Sequence, residues 1–287
     1  MNVLTFDVED WYCNCVWTDM DWEKYEYRLQ LWMDKILEEL EKRGLTATFF
    51  CLGWVADHHP ELIRKIYAQG HHIGCHSYQH ELLKDLSREM FVENTMRAKK
   101  SIEDVIGAEV DAYRAPAWSV DNDNVWVLEE LSRMGFKYDS SIFPSTHSFG
   151  GFPDFGKDEP VVCRVGDASI IEFPVSVKRM FSKQFVFSGG GYFRFFPFPL
   201  VKCWMEGKPY NLCYFHTQDF DTEQPVAHDL PLERRFKTYY GISGAFAKFC
   251  RLLDECGPFL DIRKAANLYD WRVNEIDLCS KNNIVQC

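Results

Sequence analysis

Residues 29–75 read LQLWMDKILEELEKRGLTATFFCLGWVADHHPELIRKIYAQGHHIGC. Within them Trp32, Met33, Ile36, Leu37 and Leu40 recur at helical spacing, and Gly44 stands where such a helix ends. Leu45–Leu52 (LTATFFCL) follows, an apolar run of the kind that forms a buried strand. Pro60 opens a second helical stretch to Gln69 with Gly70 just past it, because proline suits the first helical turn and glycine the residue after the last. His72–Cys75 is again strand-like. Outward from this stretch the alternation continues. Asn2–Asp7 is a β-rich run, Ser87 begins a helix to about Ile106, Val110–Arg114 is strand-like, and Asn122–Met134 is a helix closed by Gly135. Strand and helix in turn predict parallel strands joined by crossover helices, an α/β fold. In such folds the chemistry collects at the C-terminal ends of strands. Asp7, His76, Arg114 and His216, which closes the apolar run Leu212–Phe215, each follow a strand-like run.

From about Gly150 to Phe198 the alternation fails, and the chain becomes rich in Phe, Gly and Pro. No linker or repeat interrupts it. The expected organisation is one catalytic domain over residues 1–287, with elaborated loops at about 143–200 and a helical tail from about 233, where Glu233–Glu255 carries an amphipathic helix packed on the outside.

With 287 residues, 46% of them hydrophobic, the chain can bury a large core. Its net charge of −11 repels nucleic acid and anionic membrane as main partners and favours a neutral substrate, or one that becomes cationic on reaction. No run of about 18 uncharged apolar residues is present, so no membrane span is expected. The opening MNVLTFDVEDWY lacks a basic segment followed by a long apolar one, and the 11 cysteines are scattered without CxxC spacing. Both read as a cytoplasmic chain with reduced thiols.

His76-Ser-Tyr-Gln-His80 places two imidazoles four residues apart. On a helical turn they share a face, with Cβ atoms about 5–6 Å apart, which suits two nitrogen ligands on one Zn²⁺-like ion. Alone, an HxxxH pair is unspecific. Asp7-Val-Glu-Asp10 adds three carboxylates at a strand end, which repel one another unless a cation or arginine neutralises them. Two histidines and one carboxylate make the three protein ligands of a catalytic metal site, leaving a second carboxylate as base. Glu9 shares the face of Asp7 by strand alternation, whereas a turn beginning at Val8 favours Asp10, and both stand as candidate ligands. Arg114-Ala-Pro-Ala-Trp118 offers a guanidinium able to clamp a carboxylate bidentately.

These residues resemble the polysaccharide deacetylases, carbohydrate esterase family 4, with the NodB-homology domain. TFDVEDW, HSYQH, RAPAW and YFH follow that family's motifs in order, over roughly residues 2–270. DVEDW, YDSSIFP (Tyr138–Pro144), SGGGYFR (Ser188–Arg194) and YFHTQDFD are similar to the branch associated with exosortase and exopolysaccharide biosynthesis. The resemblance implies a distorted, incomplete (β/α) barrel and a metal-dependent hydrolase that removes an N-acyl group, most commonly N-acetyl, from an amino sugar. It further implies Asp7 as general base, Arg114 as the group that orients it, His76 and His80 as metal ligands, and His216 as general acid. Where much of the family has two adjacent aspartates, Val8 follows Asp7 here, so the carboxylate ligand falls to Glu9 or Asp10. The cofactor is a divalent ion, Zn²⁺ first, with Co²⁺, Ni²⁺ and Fe²⁺ also compatible with N/O ligands.

The expected partner is an N-acylated glycan or a lipid- or nucleotide-linked saccharide. Aromatics reach 16%, and Trp118, Tyr192 and Phe193 are expected to line the sugar groove. Gly189–Gly191 are expected to let backbone approach a ligand. His58, His59, His71 and His72 read as structural or solvated. The rival readings are a deformylase or other amide hydrolase of the same fold, and a catalytically silent carbohydrate-binding protein.

Overall fold

The structure, a computed structural model, describes residues 1–13, 20–180, 183–227, 230–269, 271 and 274–278. The first half is a succession of strand–helix units: β1 (Asn2–Val8), α1 (Leu29–Lys42), β2 (Thr48–Cys51), α2 (Gly53–His58), α3 (Pro60–Ala68), β3 (His72–Cys75), α4 (Arg88–Ile106), β4 (Ala112–Tyr113), α5 (Trp126–Arg133) and β5 (Tyr138–Asp139). The second half contributes β6 (Val161–Val165), β7 (Ala168–Glu172), β8 (Val177–Met180), β9 (Lys183–Val186), α6 (Gly190–Phe195), α7 (Phe198–Glu206), β10 (Asn211–His216), α8 (Leu232–Tyr239), α9 (Ala245–Glu255), β11 (Phe259–Leu260), α10 (Ile262–Leu268) and β12 (Glu275–Asp277).

The helix ends obey local chemistry. α1 buries Met33, Ile36, Leu37 and Leu40 of the stripe its spacing predicts, with Leu29 added, while Trp32 is only half-buried. The Ser87 side chain accepts a hydrogen bond from Met90 N and caps α4, while Gly107 closes it in the left-handed region.

Among the described residues one sheet runs β10-β1-β2-β3-β4-β5-β7-β6-β12, with β11 beside β1. Every pairing from β10 to β7 is parallel, within this sheet only β6 with β7 is antiparallel, and β8 and β9 form a separate antiparallel pair. Among the described residues no ladder joins β7 to β10. The gap is spanned by single bonds: Tyr210 Oη donates to Pro174 O (2.9 Å), Leu212 N to Ser176 Oγ (2.8 Å) and Ser188 Oγ to Leu212 O (2.7 Å). The result is the α/β, incomplete and distorted barrel expected from the sequence.

Side-chain alternation along β1 shows how the barrel fills. Leu4, Phe6 and Val8 pack outward into the core beneath the helices, whereas Val3 belongs to an inner cluster with Phe50, Ala112, Phe173, Tyr210 and Leu212. α10 closes the N-terminal end of the barrel, since Ile262 and Ala265 join the inner cluster and Ile262 N donates to Thr48 Oγ1 (2.8 Å). The C-terminal end stays open. At Gly74 a Cβ would stand 2.5 Å from the Phe50 ring and 3.2 Å from Ala112 O, so the inner layer leaves that position no side-chain volume. Gly74→Ala is expected to destabilise the protein by about 1–3 kcal/mol through overpacking, read as a lower urea midpoint at unchanged slope.

Asp139 and Glu172 sit opposite each other on β5 and β7, both fully buried. Asp139 Oδ2 and Glu172 Oε2 have no donor among the described residues. Burial raises both carboxyls, and the neighbouring Asp139 raises Glu172 further, so the pair holds a shared proton. A carboxyl raised on folding costs stability as pH climbs above its unfolded value, because the unfolded chain releases the proton first. Glu172→Gln, which supplies the proton donor permanently, should gain stability relative to wild type between pH 5 and pH 8. Urea midpoints at the two pH values check this, and a gain confined to pH 5 would contradict it.

The last third differs from the tail expected. Glu233–Glu255 is two helices, broken where Gly241 adopts φ 73°. α8 buries no residue, but α9 buries Phe249 against Phe6 and Phe215 and belongs to the core. β11 and β12 then return to the main sheet, so the tail is not purely helical. Strand pairs separated this far along the chain leave no local signature.

Candidate active site

The open end of the barrel gathers Asp7 and Glu9 from the end of β1, His76 and His80 after β3, Arg114 after β4, and His216 at the end of β10. Asp7 and His216 are register partners on adjacent strands. The 209 positions separating them in sequence therefore vanish in space.

Arg114 is fully buried inside the barrel. Its Nη1 donates to Asp7 Oδ1 (2.6 Å), its Nη2 to Thr5 Oγ1 (3.0 Å) and Ser140 Oγ (2.9 Å), and its Nε to Ser140 O (3.2 Å). Phe50 lies beneath it, with Cζ 4.2 Å from the ring centroid. Burial alone would raise the Asp7 carboxyl, but Arg114, His76 and His216 outweigh it and hold Asp7 ionised, well below the usual range.

His76 Nδ1 faces Arg114 O at 2.8 Å, which makes Nδ1 the protonated nitrogen and leaves Nε2 as the lone pair turned to Glu9. Burial lowers its pKa to about 4, so it is neutral, as a metal ligand must be. The HSYQH segment is not helical. Ser77 (φ 65°) and His80 (φ 61°) take left-handed conformations, and His80 N donates to Ser77 Oγ at 2.9 Å. This tight loop, rather than a helix face, brings the two rings to 5.2 Å between centroids.

Of the two acidic candidates, Glu9 and not Asp10 stands beside the two imidazoles. One ligand atom each from Glu9, His76 and His80 lies within 4.8 Å of the others. Glu9 Oε2 is 3.1 Å from His80 Nε2 and 3.8 Å from His76 Nε2, is buried, and has no well-formed hydrogen bond among the described residues. A buried carboxylate oxygen with the Nε2 atoms of two imidazoles turned to it fits a divalent cation of zinc type.

Asp10, a candidate ligand from sequence, is placed elsewhere. Its Oδ2 accepts from Arg28 N (2.7 Å) and Leu29 N (2.8 Å) and its Oδ1 from Trp11 N (2.8 Å), so it caps the start of α1. Once β1 ends at Val8, consecutive residues leave in opposite directions, and only Glu9 keeps the inward face.

His216 Nε2 lies 3.4 Å from Asp7 Oδ2 and 3.6 Å from Glu9 Oε1. Its Nδ1 meets Asp219 Oδ2 at 3.1 Å, and the same oxygen accepts from His216 N at 2.9 Å. Burial opposes protonation, but Asp219, Asp7 and Glu9 raise its pKa well above the ordinary histidine value. Asp219 is bonded in turn by buried Arg194, whose guanidinium also donates to the carbonyls of Lys237 (2.8 Å), Thr238 (2.8 Å) and Tyr240 (3.0 Å). YFHTQDFD and SGGGYFR contain Asp219 and Arg194, but neither motif by itself gives them a role. Their signal is a charge pair 25 residues apart that only the fold brings together.

A cleft of about 620 Å³ opens above these groups. Trp118 and Tyr192 line it as expected, and Tyr214 joins them, its ring 4.4 Å from that of Trp118. Phe193 does not. It is buried against Phe215, centroids 5.0 Å apart, on the inward side of α6. The three glycines also serve the protein itself: a Cβ on Gly189 would stand 2.2 Å from Tyr214 O, and one on Gly191 2.3 Å from Lys237 O. They let α6 approach β10 and α8. Of the four histidines read as structural or solvated, His72 pairs with Asp111 (2.8 Å), and His58 and His59 stack on Trp54 and Tyr27.

A carboxylate and two imidazoles stand around one point, with a second carboxylate clamped by arginine and a third histidine opposite, an arrangement able to hold a divalent cation. Comparisons with known proteins give the family. Residues 3–138 match the sequence family "Polysaccharide deacetylase", and residues 140–266 match "Domain of unknown function (DUF3473)". Residues 3–138 therefore carry a polysaccharide deacetylase domain.

It is 28% identical over 103 residues to the Bacillus subtilis peptidoglycan-N-acetylmuramic acid deacetylase PdaA, covering 36% of this chain and 38% of that one. It is 29% identical over 145 residues to a Helicobacter pylori peptidoglycan deacetylase, covering 50% and 45%. The chain thus spans less than half the length of these relatives. In structure it resembles a Mycobacterium smegmatis protein placed among the polysaccharide deacetylases (TM-score 0.61, 22% identity, 93% of this chain and 88% of that one). A pseudoenzyme of family 4 from Bacillus anthracis shares the fold at TM-score 0.53 and 14% identity, over 96% of this chain and 69% of that one.

Proposed function

We propose that this protein hydrolyses an N-acyl group, N-acetyl in the first instance, from an amino sugar of a polysaccharide or its glycan precursor. The observation that carries the reading is the convergence of Glu9, His76 and His80 within 4.8 Å, with Asp7 and His216 facing one another 3.4 Å apart beside them. A divalent cation, Zn²⁺ in our reading, held by Glu9, His76 and His80, supplies the positive charge that polarises an acyl carbonyl and acidifies water.

The protein's own residues do the rest. Asp7, fixed by Arg114 and kept ionised, accepts the proton of the attacking water. His216, protonated and oriented by Asp219, donates a proton to the departing amine, without which the addition product collapses back to reactants. Trp118 and Tyr192 present ring faces to the sugar. The matched relatives, named as peptidoglycan deacetylases, support the substrate class.

We further infer that both matched regions form one catalytic unit, since β5 pairs with β7 and β1 with β10. We place the protein in the exopolysaccharide-associated branch on the strength of DVEDW, YDSSIFP, SGGGYFR and YFHTQDFD, and assign it to the cytoplasm, acting on a carrier-linked saccharide. All eight described cysteines are free, which supports a reducing compartment; Cys15, Cys279 and Cys287 lie outside the described residues.

The test is release of acetate, and separately formate, from N-acylated oligosaccharides and nucleotide- or lipid-linked saccharides by protein reconstituted with Zn²⁺ or Co²⁺. Acetate release stopped by chelation supports the proposal. Formate alone establishes the deformylase, and neither acid from any substrate overturns the hydrolase reading in favour of a binding protein.

A further inference from the structure

The cleft is chemically uneven. At its floor the charges answer one another: Asp7 with Arg114, Asp219 with Arg194, and Glu9 with the histidines. On the wall formed by α8, Arg234 and Lys237 face the same cavity. Lys237 Nζ meets Glu233 Oε1 at 2.8 Å, but both side chains are largely exposed (50% and 81%), so the pair is weak and separable. Arg234 has neither carboxylate nor hydrogen-bond acceptor for its guanidinium among the described residues. Its Cζ lies 4.8 Å from the centroid of Phe149, which lines the cavity from the opposite loop.

A guanidinium held by an aromatic ring keeps its rigid fork of N–H donors for an anion that offers two oxygens, a match an ammonium could not make. Since the protein carries a net charge of −11, long-range attraction does not explain a cation here; discrimination inside the cavity does.

We propose that the saccharide taken by this cleft carries an anionic group, bound by Arg234 with Lys237 beside it. The inference rests on the hydrolase reading for the chemistry at the floor, and deepens it by assigning the substrate's charge. The anion has two chemical sources, a carboxylate on a sugar ring or a phosphate linking the sugar to a nucleotide or carrier. Both present oxygens suited to a bidentate pair with Arg234.

The full chain is titrated calorimetrically with two matched pairs of probes. One pair is a neutral N-acetylglucosamine tetrasaccharide and a tetrasaccharide alternating glucuronate with N-acetylglucosamine. The other is free N-acetylglucosamine and UDP-N-acetylglucosamine. One anionic probe is expected to bind about tenfold or more tighter than its neutral counterpart, the size of a charge-assisted hydrogen bond. Which pair shows the preference identifies carboxylate or phosphate. Arg234→Ala should bring that ratio to near one, Arg234→Lys should leave it intermediate, and added salt should shrink it.

Equal binding within both pairs, no binding of either anion, or a ratio that survives Arg234→Ala overturns the proposal. Acetate release is followed separately in the same protein. Charge preference without hydrolysis removes the hydrolase reading and leaves this one, whereas hydrolysis of the neutral tetrasaccharide with a ratio of one does the reverse.

Discussion

Glu9→Ala protein is expected to purify without a stoichiometric divalent ion and to release no measurable acetate, while Asp10→Asn retains both the ion and hydrolysis. Glu9 is 2% exposed with Oε2 facing both His80 and His76, so its removal takes away the one carboxylate of the proposed three-ligand set. Asp10 is just as buried, but its oxygens are engaged by three backbone N–H groups. The Asp10→Asn change halves its capacity as acceptor and should cost about 0.5–2 kcal/mol of stability, the scale of a lost helix cap. Burial also pushes the Asp10 carboxyl up to about 6 against those three bonds. Because the folded carboxyl takes up its proton at a higher pH than the unfolded one, wild type gains stability as pH falls through that value, and the stability gap to Asp10→Asn should widen there. Metal content by mass spectrometry and thermal midpoints separate the two roles. Metal retained by Glu9→Ala and lost by Asp10→Asn would reverse the assignment.

The second large effect falls on His216. His216→Ala should keep its metal, because the Glu9, His76 and His80 set is untouched, yet lose at least about 10²-fold in turnover, the usual contribution of a general acid. Its Nε2 is the one imidazole nitrogen among the described residues within 3.4 Å of Asp7, and its other nitrogen is fixed by Asp219. A purely structural role would lower stability and leave turnover per folded molecule unchanged. Measuring kcat alongside the urea midpoint distinguishes these outcomes, and unchanged turnover at full metal occupancy would sink the assignment.

Much of this centre was legible before any coordinates. Asp7, His76, Arg114 and His216 follow strand-like runs, His80 follows His76 at HxxxH spacing, and all five converge. The reason offered for the histidine pair was nevertheless mistaken: HSYQH is a loop with two left-handed residues, not a helical turn. Spacing of four suits both, so sequence alone does not separate them. Phe193 and Tyr192 are adjacent in an aromatic-rich segment, and composition marked both for the groove. On α6 they point in different directions, and only the packing of Phe193 against Phe215 shows which one faces inward.

The division follows from the range of the forces involved. Period-two and period-3.6 apolar patterns, glycine after helices and proline before them act within a few residues, and they determined the strand–helix order of the first half, its parallel α/β class and the positions at which functional groups leave the strands. Tertiary structure decided what depends on contacts between distant segments. It turned Asp10 onto the start of α1, left Glu9 facing the histidines, joined Arg194 to Asp219, returned β11 and β12 to the sheet and set α8 across the cleft. Each is an electrostatic or packing contact between residues many positions apart, and no local pattern encodes which partner will arrive.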